Sequence, residues 1–106
     1  MFDPIIKLGR KTVVAMVHVP ALPGSPEYDS STGMNKIIDS VVVDLEALQS
    51  GGVDAVMFGN EFDRPYVLKA PPEGLAALAS VIGQVKSMIK VPFGVNYLWD
   101  PVATVA

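Results

Sequence analysis

Three short apolar segments, all rich in valine, constrain the fold of this 106-residue chain more than any other feature. They are residues 12–19 (TVVAMVHV), 53–59 (VDAVMFG) and 91–98 (VPFGVNYL). Each segment is continuously apolar rather than alternating, which is typical of parallel strands that helices cover on both faces. The segments start about 40 residues apart, and that interval accommodates a strand, a long loop and a helix.

The two intervals between these segments predict amphipathic helices. Apolar residues recur there at three- and four-residue steps, so that each interval carries a single apolar stripe. The first stripe comprises Met34, Ile37, Ile38, Val41, Leu45 and Leu48, and the second comprises Leu75, Leu78, Ile82, Val85 and Ile89. We expect Gly51-Gly52 to end the first helix, because glycine tolerates left-handed geometry. The second helix follows Pro71 and Pro72 and is predicted to reach Lys90.

The end of the chain predicts the start of a third helix. Asp100 is followed by Pro101, which is the pairing of an N-cap acceptor with proline at the first helical position. The predicted order is therefore β-α-β-α-β and then a helix start. It defines an α/β fold in which residues 1–106 form part of a single domain.

Three strands and two helices do not make a closed architecture, because the first and third strands would present unpaired edges. A right-handed run of this kind begins both a (β/α)8 barrel of about 250 residues and a doubly wound sheet. The glycine-rich dinucleotide fingerprint is missing after the first strand, where HVPALPGSP stands instead. We therefore expect the N-terminal part of a larger TIM barrel. The alternative is a complete small module that assembles into a barrel from several copies.

Composition excludes several classes of function. The net charge is −3 and the basic residues are scattered, so we expect no nucleic-acid partner. No apolar run approaches the roughly 20 residues of a membrane span, and we expect a cytoplasmic protein. The absence of cysteine excludes disulfides, thiolate metal sites and cysteine nucleophiles from this sequence. The pattern predicts no metal site and identifies no cofactor.

Polar side chains follow all three predicted strands at their carboxyl ends, where parallel α/β folds bind ligands. His18 closes the first strand, Asn60 and Glu61 follow the second, Asn96 lies near the end of the third, and Asp100 comes just beyond. The long segment 20–33 (PALPGSPEYDSSTG) lies between the first strand and the first helix. We expect it to form a functional loop that closes over the site.

His18 and Glu61 are the candidate catalytic residues. An imidazole transfers protons near neutral pH and also binds metals, whereas the alternative for His18 is a half-buried residue bonded to a nearby loop. Glu61 is a candidate general base or metal carboxylate. Its alternative role is that of a solvated loop acid or a partner for Arg64.

Asn60, Asn96 and Asp100 are the candidate ligand-binding residues. An asparagine amide both donates and accepts, which suits ligand hydroxyls or phosphate oxygens. The alternative for Asn60 and Asn96 is that they satisfy backbone groups of the loops. For Asp100, capping the third helix is a sufficient structural reason for its presence.

Several ordered motifs resemble the N-terminal part of the BtpA/SgcQ family, and its SgcQ-like branch most closely. They are HVPALPGSPEY, the GM that opens the first helix, DLEALQSGGVDAVMFGNEFDRPY and PFGVNYLWDPVA, and they cover the chain from Thr12 onward. The resemblance implies a ribulose-phosphate-binding-like TIM barrel, of which this chain is less than half. It also implies one of two settings: photosystem I biogenesis, or the sugar uptake and metabolism suggested by the neighbours of SgcQ-like genes.

We therefore expect an enzyme that acts on a small phosphorylated sugar or nucleoside-like metabolite, and a homo-oligomer at full length. His18 and Glu61 would transfer protons, while Asn60, Asn96 and Asp100 would orient the ligand. These roles rest on strand-end positions, since the resemblance carries no catalytic assignment. The alternative is a non-catalytic assembly or stability factor that acts through its surface.

Overall fold

A computed structural model describes residues 9–64 and 67–105 of the chain. Residues 1–8, 65–66 and 106, which the predicted domain includes, lie outside the described residues. The strands are β1 (Val14–His18), β2 (Ala55–Gly59) and β3 (Phe93–Asn96). The helices are α1 (Gly33–Ser50), α2 (Pro72–Val85) and α3 (Pro101–Val105), and a 3-10 turn spans Lys86–Met88.

The three strands form one parallel sheet in the order β1-β2-β3. Met16 of β1 lies opposite Met57 of β2, which in turn lies opposite Gly94 of β3. The helices α1 and α2 contact each other, and the apolar residues of both join one core with the sheet. The predicted α/β class and the predicted order of elements are therefore confirmed.

The core lies between the sheet and the two long helices. Alternate strand residues face it, and Val17, Val56 and Phe58 are almost completely buried there. The helices contribute the stripes predicted from the sequence, with Ile37, Val41 and Leu45 from α1 and Leu78, Val81 and Val85 from α2. Each such side chain contributes about 1.5–3 kcal/mol when it is fully buried. This packing holds both helices on one face of the sheet.

The opposite face of the sheet has no cover from any element in the described part of the chain. Val14 and Met16 of β1 are 49% and 43% exposed on this face. The residue after Met16, Val17, points to the core and is fully buried. The prediction that helices cover both faces is therefore not met in β1, which shows alternation instead. The physical reason is that both crossover helices lie on the same side. The central strand β2 is flanked by both neighbours and stays mostly buried.

The two long helices end for different reasons. The residues Gly51-Gly52 end α1 as predicted, and Gly52 takes the left-handed conformation with φ +84°. The second helix ends at Val85 rather than at Lys90. There the Gln49 side chain of α1 donates to the Met88 carbonyl at 3.0 Å and accepts from the Lys90 N–H at 2.6 Å. The Gln49 side chain thus holds residues 88–90 by their backbone groups in a conformation that is not α-helical. This tertiary contact ends the helix although the apolar periodicity continues to Ile89.

Asp54 fixes the amino end of the sheet. Its buried carboxylate forms a bidentate ion pair with the Arg10 guanidinium and accepts a hydrogen bond from the Val13 N–H at 2.8 Å. The segment that leads into β1 is thereby attached to the start of β2. A bidentate arginine–carboxylate pair adds geometric specificity as well as energy.

Asp100 caps α3, as the sequence predicts. One carboxylate oxygen accepts the Ala103 N–H at 2.9 Å, and the other accepts the Ala70 N–H at 2.7 Å. These backbone donors favour the charged form and hold the pKa of Asp100 below its usual range. The same carboxylate therefore caps a helix and binds the loop between β2 and α2.

The lowered pKa of Asp100 predicts a specific pH dependence of stability. The carboxylate stabilises the fold fully above the ordinary aspartate pKa of about 3.9, and this contribution is lost as pH falls towards the lower pKa of the folded state. We expect Asp100→Asn to lose less stability than the parent chain between neutral and strongly acidic pH. Urea unfolding across this range measures the effect. The exposed Asp39→Asn on α1 is the matched control, and identical pH profiles for Asp100→Asn and the parent would contradict the assignment.

A second prediction concerns Gly74 in the first turn of α2. A Cβ at this position would clash with the Tyr97 hydroxyl and would lie 3.2 Å from Cγ of Pro71. We expect Gly74→Ala to destabilise the chain by about 1–3 kcal/mol through overpacking, in spite of the better helix propensity of alanine. Tyr97→Phe removes the clashing oxygen, so the double variant should regain most of this loss. Unfolding free energies of the four proteins form a double-mutant cycle, and strictly additive losses would show that the clash is not the cause.

Candidate functional site

The carboxyl end of the uncovered face carries a row of three residues, one from each strand. His18 lies opposite Gly59, and Gly59 lies opposite Asn96. Adjacent strands are about 4.8 Å apart, so the α-carbons of His18 and Asn96 are separated by roughly 10 Å. An imidazole and an amide thus flank a buried glycine, which places no side chain between them.

Packing among the described residues does not require the glycine in this row. A Cβ on Gly59 would lie 3.7 Å from the Asn96 carbonyl oxygen and 3.8 Å from Cε of Met16, and both distances are ordinary van der Waals contacts. An alanine would therefore fit between His18 and Asn96 without strain.

His18 is exposed and borders a cleft of about 640 Å³. Its ring packs edge-on against Phe62, with 6.2 Å between the ring centroids. The Arg64 guanidinium lies 5.8 Å from the centre of the same phenyl ring. Glu27 and Asp44 also line the cleft, so both signs of charge face it. Its volume is in the range of small-molecule sites, and His18 is the one residue of the row among its described lining residues.

Glu61 and Asn96 differ in their surroundings. A Glu61 carboxylate oxygen lies 3.7 Å from an Arg64 nitrogen, and Arg64 Nε donates to the Glu61 carbonyl at 3.3 Å. This is the pairing that the sequence offered as the alternative for Glu61, on the turn that also carries Phe62. Asn96 is half-buried, and its Oδ1 lies 3.5 Å from the Thr104 hydroxyl, which is too long for a strong hydrogen bond.

Asn60 lies on the other side of the strand end from His18 and Asn96. It is only 2% exposed, accepts the Leu98 N–H at 2.7 Å and donates to the Asp63 carboxylate at 3.1 Å. Asp100 is likewise bonded to backbone N–H groups. The structure therefore brings His18 and Asn96 into one row and places Asn60 and Asp100 at positions where they bind loop backbone.

Asp63 is a buried residue at this end of the sheet that the sequence reasoning missed. Its carboxylate accepts the Leu22 N–H at 2.7 Å and so attaches the loop after β1 to the turn after β2. Burial raises the pKa of Asp63, and this effect outweighs the opposing effect of the donors from Leu22 and Asn60. The available signal was the pair of short polar residues three positions apart in NEFD. The contact of Asp63 with Leu22 joins residues 41 positions apart, so no local sequence pattern indicates it.

No group of three histidine, cysteine, aspartate or glutamate side chains is placed to hold a metal ion in residues 9–64 and 67–105. Within the same ranges, none of the helices has the length and apolar character needed to cross a membrane.

Comparison with known proteins assigns this sequence to a family. The model of the BtpA family matches residues 9–106. The sgc region protein SgcQ of Escherichia coli is 60% identical over 95 residues, which are 90% of this chain and 35% of that protein. An uncharacterized protein of Archaeoglobus fulgidus is 37% identical over 98 residues, which are 92% of this chain and 39% of that protein.

A more distant relative carries a functional name. The photosystem I biogenesis protein BtpA of Synechocystis is 26% identical over 87 residues, which are 81% of this chain and 30% of that protein. The chain thus spans about a third of the length of the relatives it matches. No solved structure matches it. Because the family model covers nearly the whole sequence, as the resemblance of the motifs predicted, this chain belongs to the BtpA family.

Proposed function

We propose that this chain forms part of an enzyme that binds a small phosphorylated sugar or nucleoside-like metabolite at the row His18, Gly59 and Asn96. The observation that supports the proposal is the placement of these polar groups. The described uncovered face is otherwise apolar, and its polar side chains are confined to the carboxyl end, where parallel α/β folds bind ligands.

The strand order favours a TIM barrel over a doubly wound sheet as the complete fold. A doubly wound sheet reverses its strand order and has helices on both faces, whereas here the order is β1-β2-β3 with both long helices on one face. SgcQ, of which the chain covers 35%, has room for further βα units. In such a barrel the apolar face would form the interior, and the row would lie at its mouth.

Each residue of the site has a role in this proposal. The exposed imidazole of His18 transfers a proton and is held in place by the edge of Phe62. Arg64, above the same phenyl ring, supplies positive charge for a phosphate, and Glu61 beside it is the second proton-transfer group. Asn96 orients a ligand hydroxyl. Asn60 and Asp100 keep the surrounding loops in position rather than contacting the ligand.

Gly59→Ala tests the proposal directly, because its added methyl group occupies the floor of the row and meets only ordinary contacts. We expect the variant to keep the stability of the parent chain. We also expect it to weaken binding of ribose 5-phosphate by about tenfold or more, which corresponds to about 1.4 kcal/mol. Backbone amide shifts in a nuclear magnetic resonance titration measure the affinity, and His18→Ala should weaken it as well.

Gly94→Ala is the matched control for this experiment. Gly94 faces the same side of the sheet, further from the carboxyl end, and a Cβ there has Cε of Met57 as its nearest neighbour at 3.6 Å. It should leave the affinity unchanged. If neither ribose 5-phosphate nor AMP produces saturable shifts that are sensitive to Gly59→Ala, the enzyme proposal fails. The assembly-factor alternative, which the name of the Synechocystis relative suggests, would then be favoured.

A further inference from the structure

An apolar groove of about 370 Å³ lies between α2, β3 and α3, on the side of the sheet that the helices cover. Val95 of β3 lines it from the sheet, and Val105 of α3, which is 88% exposed, lines it from the opposite wall. The groove is therefore open along this wall in the described part of the chain. Its apolar lining residues from α2 include Leu75, Leu78, Ala79 and Ile82.

The strand beside this groove has an open edge. In the described part of the chain β3 pairs only with β2, and the Val56 N–H donates to the Pro92 carbonyl at 3.1 Å. The backbone groups of a parallel strand point alternately to its two edges. The N–H groups of Phe93 and Val95 therefore point away from β2. An open edge of this kind is a template for pairing with a further strand.

The groove and the open edge meet at Val95, which lines the groove with its side chain and points its N–H to the edge. A strand that continues the sheet beside β3 is reached by a right-handed crossover, which places the connecting helix on the side of α1 and α2. The groove lies on that side, next to α2. One helix followed by one strand therefore matches both surfaces at once.

A second copy of this chain does not match both surfaces. Its β1 can pair with the open edge of β3, but the described residues that lead into β1, residues 9–13, form no helix for the groove. Its long helices precede β2 and β3, and each of these strands already has a neighbour on the edge that faces β1. An occupant of the groove must therefore come from a different chain segment.

The relative SgcQ contains such a segment if its complete fold is a barrel. The match with this chain comprises 35% of SgcQ, so about two thirds of that protein lies outside the match. In a barrel, the part that follows the matched segment consists of further helices and strands. The identity of 60% within the match means that this part is suited to a surface much like the one formed here.

We propose that the groove and the open edge of β3 form a docking surface for the C-terminal part of a BtpA-family protein, which contributes a helix to the groove and a strand to the sheet. This inference rests on the barrel proposed above as the complete fold, but it is independent of the ligand proposed for the row with His18. The docked helix presents an apolar face to the groove, and the docked strand accepts hydrogen bonds from Phe93 and Val95.

Co-expression with the part of Escherichia coli SgcQ that follows the matched segment tests the proposal, with an affinity tag on the SgcQ part. We expect this chain to co-purify with it as a one-to-one complex. Full-length SgcQ is the specificity control and should not retain the chain, because its own matched segment occupies the same place. In the complex, amide hydrogen exchange of Phe93 and Val95 should slow by about tenfold or more relative to the free chain.

Ala79→Lys and Ala76→Lys form a matched pair of variants. Both alanines are exposed on α2, so either lysine leaves the fold intact, which the unfolding transition of the free chain measures. Only Ala79 lines the groove. We expect Ala79→Lys to reduce the recovered complex by about tenfold, because docking would bury its charge against an apolar helix. Ala76→Lys should be recovered as well as the parent.

Three results would overturn the proposal. The first is a failure of the parent chain to co-purify with the SgcQ part, and the second is an equal effect of the two lysine variants on recovery. The third is a discrete dimer of this chain alone that Ala79→Lys disrupts, which would make a second copy the occupant. Gly59→Ala should form the complex as the parent does, so this experiment and the ribose 5-phosphate titration succeed or fail separately.

Discussion

The right-handed β-α-β crossover determines where every other part of this chain lies. With the strand order β1-β2-β3, it places α1 and α2 on the same face of the sheet, where their apolar stripes pack on Val17 and Phe58. The same constraint leaves Val14 and Met16 on the other face without cover in the described part of the chain. The buried core and the open face with the candidate site are thus two results of one stereochemical preference.

A second set of interactions gives the carboxyl end its rigidity. Asn60, Asp63 and Asp100 each follow a strand, and each accepts a backbone N–H from a different loop, at Leu98, Leu22 and Ala70. A buried N–H left without an acceptor costs about 1–3 kcal/mol, so each of these bonds holds its loop firmly. The polar residues of this edge therefore divide into those that hold loops and those, such as His18, that are exposed to the cleft.

Periodicity in the sequence was sufficient to predict the three strands, the two long helices and the cap at Asp100, because each depends on neighbours within a few residues. It did not predict the end of α2, which depends on Gln49 in another helix. Continuous apolar runs also fail to show which face of a strand is covered. Asn60 and Asn96 lie on opposite faces of the sheet because Gly59, and not Asn60, is the residue opposite Asn96. A shift of one residue along a strand moves a side chain to the other face.

The turn after β2 connects the surroundings of His18 with the helix-covered side of the strand ends. Phe62 packs against His18 on one side, and the next residue, Asp63, bonds to Leu22 and Asn60 on the other. These two bonds fix the turn, so the position of Phe62 beside His18 depends on contacts made on the opposite side of the sheet from the imidazole.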